Sequence, residues 1–422
     1  MKVVIFEDAC YNNYYPISAT RPLWDLRCGG FTFSDRLELI LKKKYSGEAR
    51  ISYYCRNDIA ELLKTDDSGK KINEPLYSDE PILFLNSLLT DIAFLNLNEF
   101  ALYGNNGRLL AAYIVPKETV TTVEAIHQMM DFEMKSDASF CEVKCDYNYL
   151  WDIVLKNGQQ IVSDFQIFDK DNNLQSKYNY ACIGDSTEIF IEDDVTIDPY
   201  VVIDVRKGPV IIRNGTVINS FTRIEGPCYI GENCILLGAK VREGCSLGRC
   251  CRVGGEIEDS IFQSYSNKYH DGFIGHAYIG EWVNLGAMTT NSDLKNDYSS
   301  VKVYIPDRIH DSNETKVGCF IGDFTKTSIG TLINTGCSLG VGCMTVQSGR
   351  MTPPHLPDFC WFIKNEIREI PDINAFIESI RKMMSRRNVQ FSQELEGFLL
   401  NLFTKKNNIR KLKIAEWKEK QN

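Results

Sequence analysis

The segment SNKYHDGFIGHAYIGEWVNLGAMTTNSDLKND, residues 266–297, holds two of the five histidines in this chain, together with lysines and asparagines. Imidazole titrates near neutrality and can accept or donate a proton. An ammonium group can hold a phosphate. A second such segment, SATRPLWDLRCGG (residues 18–30), brings Arg21 and Arg27 close to the pair Gly29–Gly30. Arginine grips phosphate with a planar fork, and glycine lets a backbone come close to a ligand. Both segments have residue types suited to proton transfer and to phosphorylated substrates.

Elements must position these groups. At 422 residues the chain predicts two folded units and an appendage. Apolar residues at 44% and charged residues at 24% exclude a largely disordered protein. A net charge of -9 gives no basic footprint for nucleic acid, and the locally basic KKNNIRKLKIAEWKEK near the end reads as a solvated helix face. Fifteen scattered cysteines form no compact disulfide framework and imply no structural metal; Cys250–Cys251 and Cys141/Cys145 read as small buried residues. The opening MKVVIFEDA reads as a strand rather than a signal peptide, and no apolar run is long enough to cross a bilayer. A soluble, cytoplasmic protein without nucleic-acid or membrane partners is expected.

A period of six begins at Ile183. It runs Ile183, Ile189, Val195, Val201; then Ile212, Ile218, Ile224, Ile230, Leu236; then Val241, Leu247, Val253; and it resumes at Ile279, Leu285, Ile321, Ile333 and Leu339. Neither a helix nor an alternating strand has that step. A solenoid of short strands has it, with one aliphatic side chain per step directed inward. Gly184, Gly231, Gly248, Gly280, Gly322 and Gly340 each follow an aliphatic residue and are expected at tight corners. Segment 266–297 reads as an interruption projecting from this scaffold. Before residue 178, the strands KVVIF, ISYYC, ILFLN and AAYIV alternate with helical stretches such as FSDRLELILKKK and TVEAIHQMMDFEMK, which predicts a doubly wound α/β domain. After residue 360, INAFIESIRKMMSRR and SQELEGFLLNLFTKK predict a helical tail of two helices. The expected domains are 1–177, 178–360 and 361–422.

The phrases YPISATRPLWDLRCGG, WDIVLKNG, GPCYIG, GGEIEDSIFQSYSNKYHDGFIGHAYIGEWVNLGA, NSDLKNDY, IGDFTKTSIGTLINTG and PPHLPDFCW resemble a variant bacterial family of sugar nucleotidyltransferases. That family is built on the plan of the bifunctional N-acetylglucosamine-1-phosphate uridyltransferase/glucosamine-1-phosphate acetyltransferase. The resemblance implies a left-handed parallel β-helix for the solenoid and a homotrimer. It implies His270 as general base for acetyl transfer from acetyl-CoA, with Asn284 and Asn291 contacting the acyl donor or substrate; Lys268 and Lys295 are, by their charge, candidates for binding a substrate phosphate or the 3′-phosphate of CoA, against the plainer reading of exposed lysines. For the first domain it implies nucleotide binding by Thr20, Arg21, Arg27 and Asn86, with Mg2+ as cofactor and Asp152 as a candidate ligand. The combined activity would attach a sugar 1-phosphate to a nucleoside triphosphate and acetylate an amino sugar, making an activated nucleotide sugar for cell-envelope glycans. The alternative keeps the nucleotidyltransferase alone, with the β-helix as a trimerisation or regulatory module. A zinc hydratase using His270, His276 and His310, and a non-catalytic assembly protein, are the remaining readings. His276 reads as a packing or hydrogen-bonded residue.

The chain departs from the family pattern in three places. Glu258 and Asp259 stand where the bifunctional enzymes carry a lysine, so either the acetyl acceptor differs from glucosamine 1-phosphate or its phosphate is bound through other residues. No glycine-rich phosphate loop follows the first strand. Strand ILFLN ends in Asn86 rather than the family's Gly-Asp.

Overall fold

The computed structural model describes all residues except 64–68, 96–100, 106–107, 135–139, 144, 169–172, 307, 347–348 and 422. Strand Lys2–Phe6 shows how the first domain is layered. Its side chains alternate: Val3 and Ile5 meet Leu37 and Leu41 of helix Phe33–Lys44, whereas Val4 and Phe6 meet Val123 and Ile126 of helix Val123–Met134. Helices therefore cover both faces. The six-stranded sheet runs in the order Arg50–Tyr54, Lys2–Phe6, Ile82–Asn86, Arg108–Ile114, Ala101–Asn105, Phe140–Glu142. The first three strands are parallel, and Arg108–Ile114 runs antiparallel to both its neighbours.

From residue 181 to 363 the chain winds into a parallel β-solenoid of about ten turns. One side is a nine-stranded parallel sheet from Ile189–Ile191 to His355–Leu356. The inward positions stack in register as Ile191, Ile212, Ile230, Leu247, Phe262, Ile279, Ile321, Leu339 and Leu356. All are fully buried, and each contributes roughly 1.5–3 kcal/mol of apolar transfer. Eight cysteines share this core, among them Cys251. Cys141 departs from expectation: it is exposed on the first domain.

The glycines after the aliphatic positions serve a different purpose from the one expected. Gly231, Gly248, Gly280, Gly322 and Gly340 are not in the left-handed region; side chains such as Asn233, Cys250, Tyr265, Trp282 and Phe324 take those corners instead. A Cβ at Gly248 would lie 1.6 Å from the Gln263 carbonyl oxygen of the next turn. These positions need glycine for close approach between coils.

The expected interruption also moves. Strands Ile261–Phe262, Asn267–Lys268, Phe273–Gly275 and Tyr278–Ile279 continue the coil without a break, so His270 occupies an ordinary corner. The excursion comes later, as the antiparallel hairpin Lys302–Ile305/Arg308–Asp311. It packs on the first domain: Val301, Val303 and Ile305 join Tyr14, Ile17, Leu150 and Trp151 in one core. The tail has three helices, Ile373–Ser385, Gln393–Lys405 and Asn407–Gln421. The first two pack over the corner residues Trp282, Phe324 and Phe359 and reach the first domain, where Lys405 pairs with Asp58 at 2.9 Å; the third sets Ile414 and Trp417 against the solenoid core. No helix among the described residues is long and apolar enough to cross a membrane.

Candidate functional site

His270 lies in the turn between Asn267–Lys268 and Phe273–Gly275, exposed and edge-on to Tyr269. Among the described residues its ring nitrogens have no hydrogen-bond partner. Its corner belongs to one edge of the prism. Leu237 O lies close to the Gly254 position, Gly255 close to His270 O, and the Met288 amide donates to Asp271 O at 2.7 Å. Phe221, Leu237, Met288 and Ile329 are exposed along that edge, and Tyr200 stacks on Phe221 with ring centroids 5.6 Å apart.

Asn284 is exposed beside this corner and accepts from Asn267 Nδ2 at 3.2 Å. The other three predicted partners face elsewhere. Lys268 is fully buried with its ammonium on the carbonyls of His270 and Asp271, and burial pulls its pKa down to about 8. It shapes the His270 turn instead of meeting a substrate. Asn291 is buried and clamps Gly275, accepting from its amide at 2.8 Å and donating to its carbonyl at 2.9 Å. Lys295 donates to Ser299 and Ser300 within its own loop. His276 is a buried link between turns, 2.9 Å from Asp293 and 3.5 Å from Asp259. Glu258 is held by Arg242 at 3.0 Å. His310 stacks on Tyr149 and Trp151, within the hairpin's contact with the first domain.

In the first domain the predicted phosphate loop is a docking device. Arg21 is buried against Asp323 of the solenoid, and Thr20 donates to the same carboxylate at 2.7 Å. Asp25 and Glu281 complete the ring of acids around Arg21, and burial, opposed by Arg21, pushes Glu281 up to about 7. The Arg27 amide donates to Tyr278 Oη at 2.7 Å. Its guanidinium lies over the Tyr229 ring at the mouth of a cavity of about 290 Å³ between the domains. Gly29 and Gly30 do permit a close approach, but to a helix. Their amides donate to Asn157 Oδ1 and Asp164 Oδ2, and a Cβ at Gly29 would lie 2.3 Å from Asp164. Asp164 is paired with buried Arg36, and Ser246 of the solenoid donates to Gly29 O at 2.8 Å.

Asn86 is internal, donating to Asp8 and to Leu109 O. Asp152 caps helix Leu150–Phe165 by accepting from the amides of Asn148 and Tyr149 at 2.8 and 3.0 Å. Both side chains are thus engaged by protein partners. The open space lies just beyond Asn86, at the carboxyl end of Ile82–Asn86, where α/β sheets bind ligands. This cleft of about 330 Å³ is lined by Thr90, Asp91, Asp146, Tyr147, Lys156 and Gln160, among others. Lys156 reaches Asp146 there. Only the position of Asp91, five residues beyond the strand end, signals this set in the sequence.

An α/β domain with a strand-end cleft is docked along a solenoid that carries an exposed histidine on its edge. Residues 3–173 match the family model for sugar nucleotidyl transferases. The chain is 33% identical over 155 residues to the bifunctional sugar-1-phosphate nucleotidylyltransferase/acetyltransferase of Sulfurisphaera tokodaii, covering 36% of each chain. It is 28% identical over 167 residues to the bifunctional protein GlmU of Bordetella parapertussis, covering 38% of this chain and 32% of that one. It thus spans about a third of the length of these relatives. A UDP-N-acetylglucosamine acyltransferase structure from Francisella novicida aligns with 53% of this chain and 89% of its own at 14% identity, with a TM-score of 0.29.

Proposed function

We propose that the chain is a sugar-1-phosphate nucleotidyltransferase joined to an acetyl-CoA-dependent amino-sugar N-acetyltransferase. It acts in the cytoplasm to make an activated nucleotide sugar for cell-envelope glycans. The observation that carries the acetyl-transfer half is His270, exposed and unpartnered on a rigid corner beside Asn284. An amine attacking a thioester must lose its proton, and His270 takes it. Asn284 orients the reactants. The apolar edge running through Phe221 and Met288 suits a homotrimer in which a neighbouring copy closes the His270 site.

The family match and the cleft beyond Asn86 support the nucleotidyltransferase half. There the sugar phosphate would attack the α-phosphate of the nucleoside triphosphate in line. Mg2+ would arrive with the triphosphate and would need only one or two carboxylates from the protein beside phosphate oxygens and waters. Asp91 and Asp146 are the carboxylates lining the cleft. Among the described residues no cluster of three or more metal-ligating side chains is preformed.

The test is His270→Asn. Asparagine keeps polarity but accepts no proton, so acetylation of amino-sugar phosphates should slow by roughly a hundredfold or more. The melting temperature should stay near wild type, because the side chain is exposed. Wild-type acetylation by the folded variant would remove His270 from the chemistry.

A further inference from the structure

Arg252, Asn267, Asn284 and Lys326 occupy in-register positions on four successive turns of the solenoid. Adjacent positions in such a ladder are about 5 Å apart, so their side chains form one outward column. The tail adds to it. Arg387, just past helix Ile373–Ser385, donates to Asn267 Oδ1 at 2.7 Å and to the Cys250 carbonyl at 3.3 Å. Lys326 Nζ donates to Ser379 of that helix at 3.3 Å.

The column has cations without carboxylates. Several other solenoid arginines are neutralised: Arg206 and Arg223 share Asp204, Arg213 meets Glu192 and Arg242 meets Glu258. Among the described residues, Arg252, Lys326 and Arg387 form no ion pair. The Arg252 Nε is a buried donor without an acceptor. Arg387 loses affinity for its proton through burial and then through the nearby charge of Arg252. Partly buried like charges are costly unless an anion joins them.

We infer that Arg252, Lys326 and Arg387 form an anion site that holds the phosphate groups of a small-molecule substrate beside His270, with the C-terminal tail supplying one cation. The location fits: His270 follows Asn267 by three residues, at most about 11 Å of extended chain. It also answers the departure at Glu258, which is occupied by Arg242 and offers a phosphate nothing. The phosphates belong either to the nucleotide portion of the acyl carrier or to a sugar phosphate. That choice of ligand rests on the acetyl-transfer reading; the site itself does not.

The experiment is titration calorimetry on the full-length protein with two probes, adenosine 3′,5′-bisphosphate and glucosamine 1-phosphate. The probe whose affinity falls in the variants below identifies the source. Arg252→Ala, Lys326→Ala and Arg387→Ala should each weaken that probe by at least about tenfold, the scale of a lost charge-assisted contact. Added salt should weaken wild-type binding more steeply than variant binding. If an alanine variant fails to fold, Arg387→Gln in the tail carries the test alone. Failure of wild type to bind either probe, or unchanged affinity in the folded variants, overturns the site. A parallel acetylation assay separates the two proposals. Anion binding without acetylation sinks the acetyl-transfer reading and leaves the site standing; acetylation with unchanged probe affinity in the variants does the reverse.

Discussion

Arg21 and Asp323 face each other with 5% and 4% of their side chains exposed, one on the first domain and the other on the solenoid. Removing one partner of such a pair strands a buried charge, at a cost of about 3–5 kcal/mol. Arg21→Ala should therefore lower the denaturation midpoint markedly, and Arg21→Ala with Asp323→Asn should recover part of the loss. Unchanged stability in the single variant would contradict this placement. Sequence alone gave Arg21, Arg27 and the glycine pair a shared role, because arginine and glycine are the usual residues around phosphate. What it could not supply was the partner, three hundred residues away. The surroundings of His270 are local, since its turn is built from its own chain neighbours Lys268 and Tyr269. Lys268 and Asn291 turn inward, a direction that alternation along a two-residue strand decides and that its residue types do not reveal.

Among the elements, the solenoid was the most legible. A repeating coil writes its core into the sequence as a period, and Ile212, Ile230 and Leu247 fall at matched ladder positions. Its corners were less legible, since left-handed backbone is carried by Trp282 and Phe324 rather than by glycine. The hairpin Lys302–Ile305/Arg308–Asp311 went unread because two four-residue strands have too little alternation to stand out. The basic run of the third tail helix reads as a solvated helix face, whereas Ile414 and Trp417 pack on the solenoid core. Gly248 gives the test at this scale. Alanine there adds one methyl group facing the Gln263 carbonyl, and the next coil must move. A loss of about 1–3 kcal/mol is expected by thermal denaturation, although the backbone angles suit alanine. Wild-type stability would show that the coils are spaced more loosely than they stand.

For the whole molecule, the exposed edge predicts assembly. Phe221 and Tyr200 each show 75% of their surface and stack on one another, an arrangement that favours burial against another copy. Wild type should scatter light as a trimer at micromolar concentration, and Phe221→Glu should shift it toward monomer. A monomeric wild type would contradict the assembly and leave the His270 corner open on one side. The lock between the domains carries a further kinetic consequence. The Arg27 amide bond to Tyr278, the Ser246 bond to Gly29 and the Arg21–Asp323 pair fasten the first domain along the solenoid at several separated points, and the hairpin and tail pack against it as well. No swinging arm can carry an intermediate from one reaction centre to the other. On the proposed reading, the acetylated sugar phosphate must leave into bulk solvent and return by diffusion. An unlabelled pool of it added to the mixture should dilute the label in the final nucleotide sugar in full proportion to its concentration, and retention of label would reveal direct hand-over.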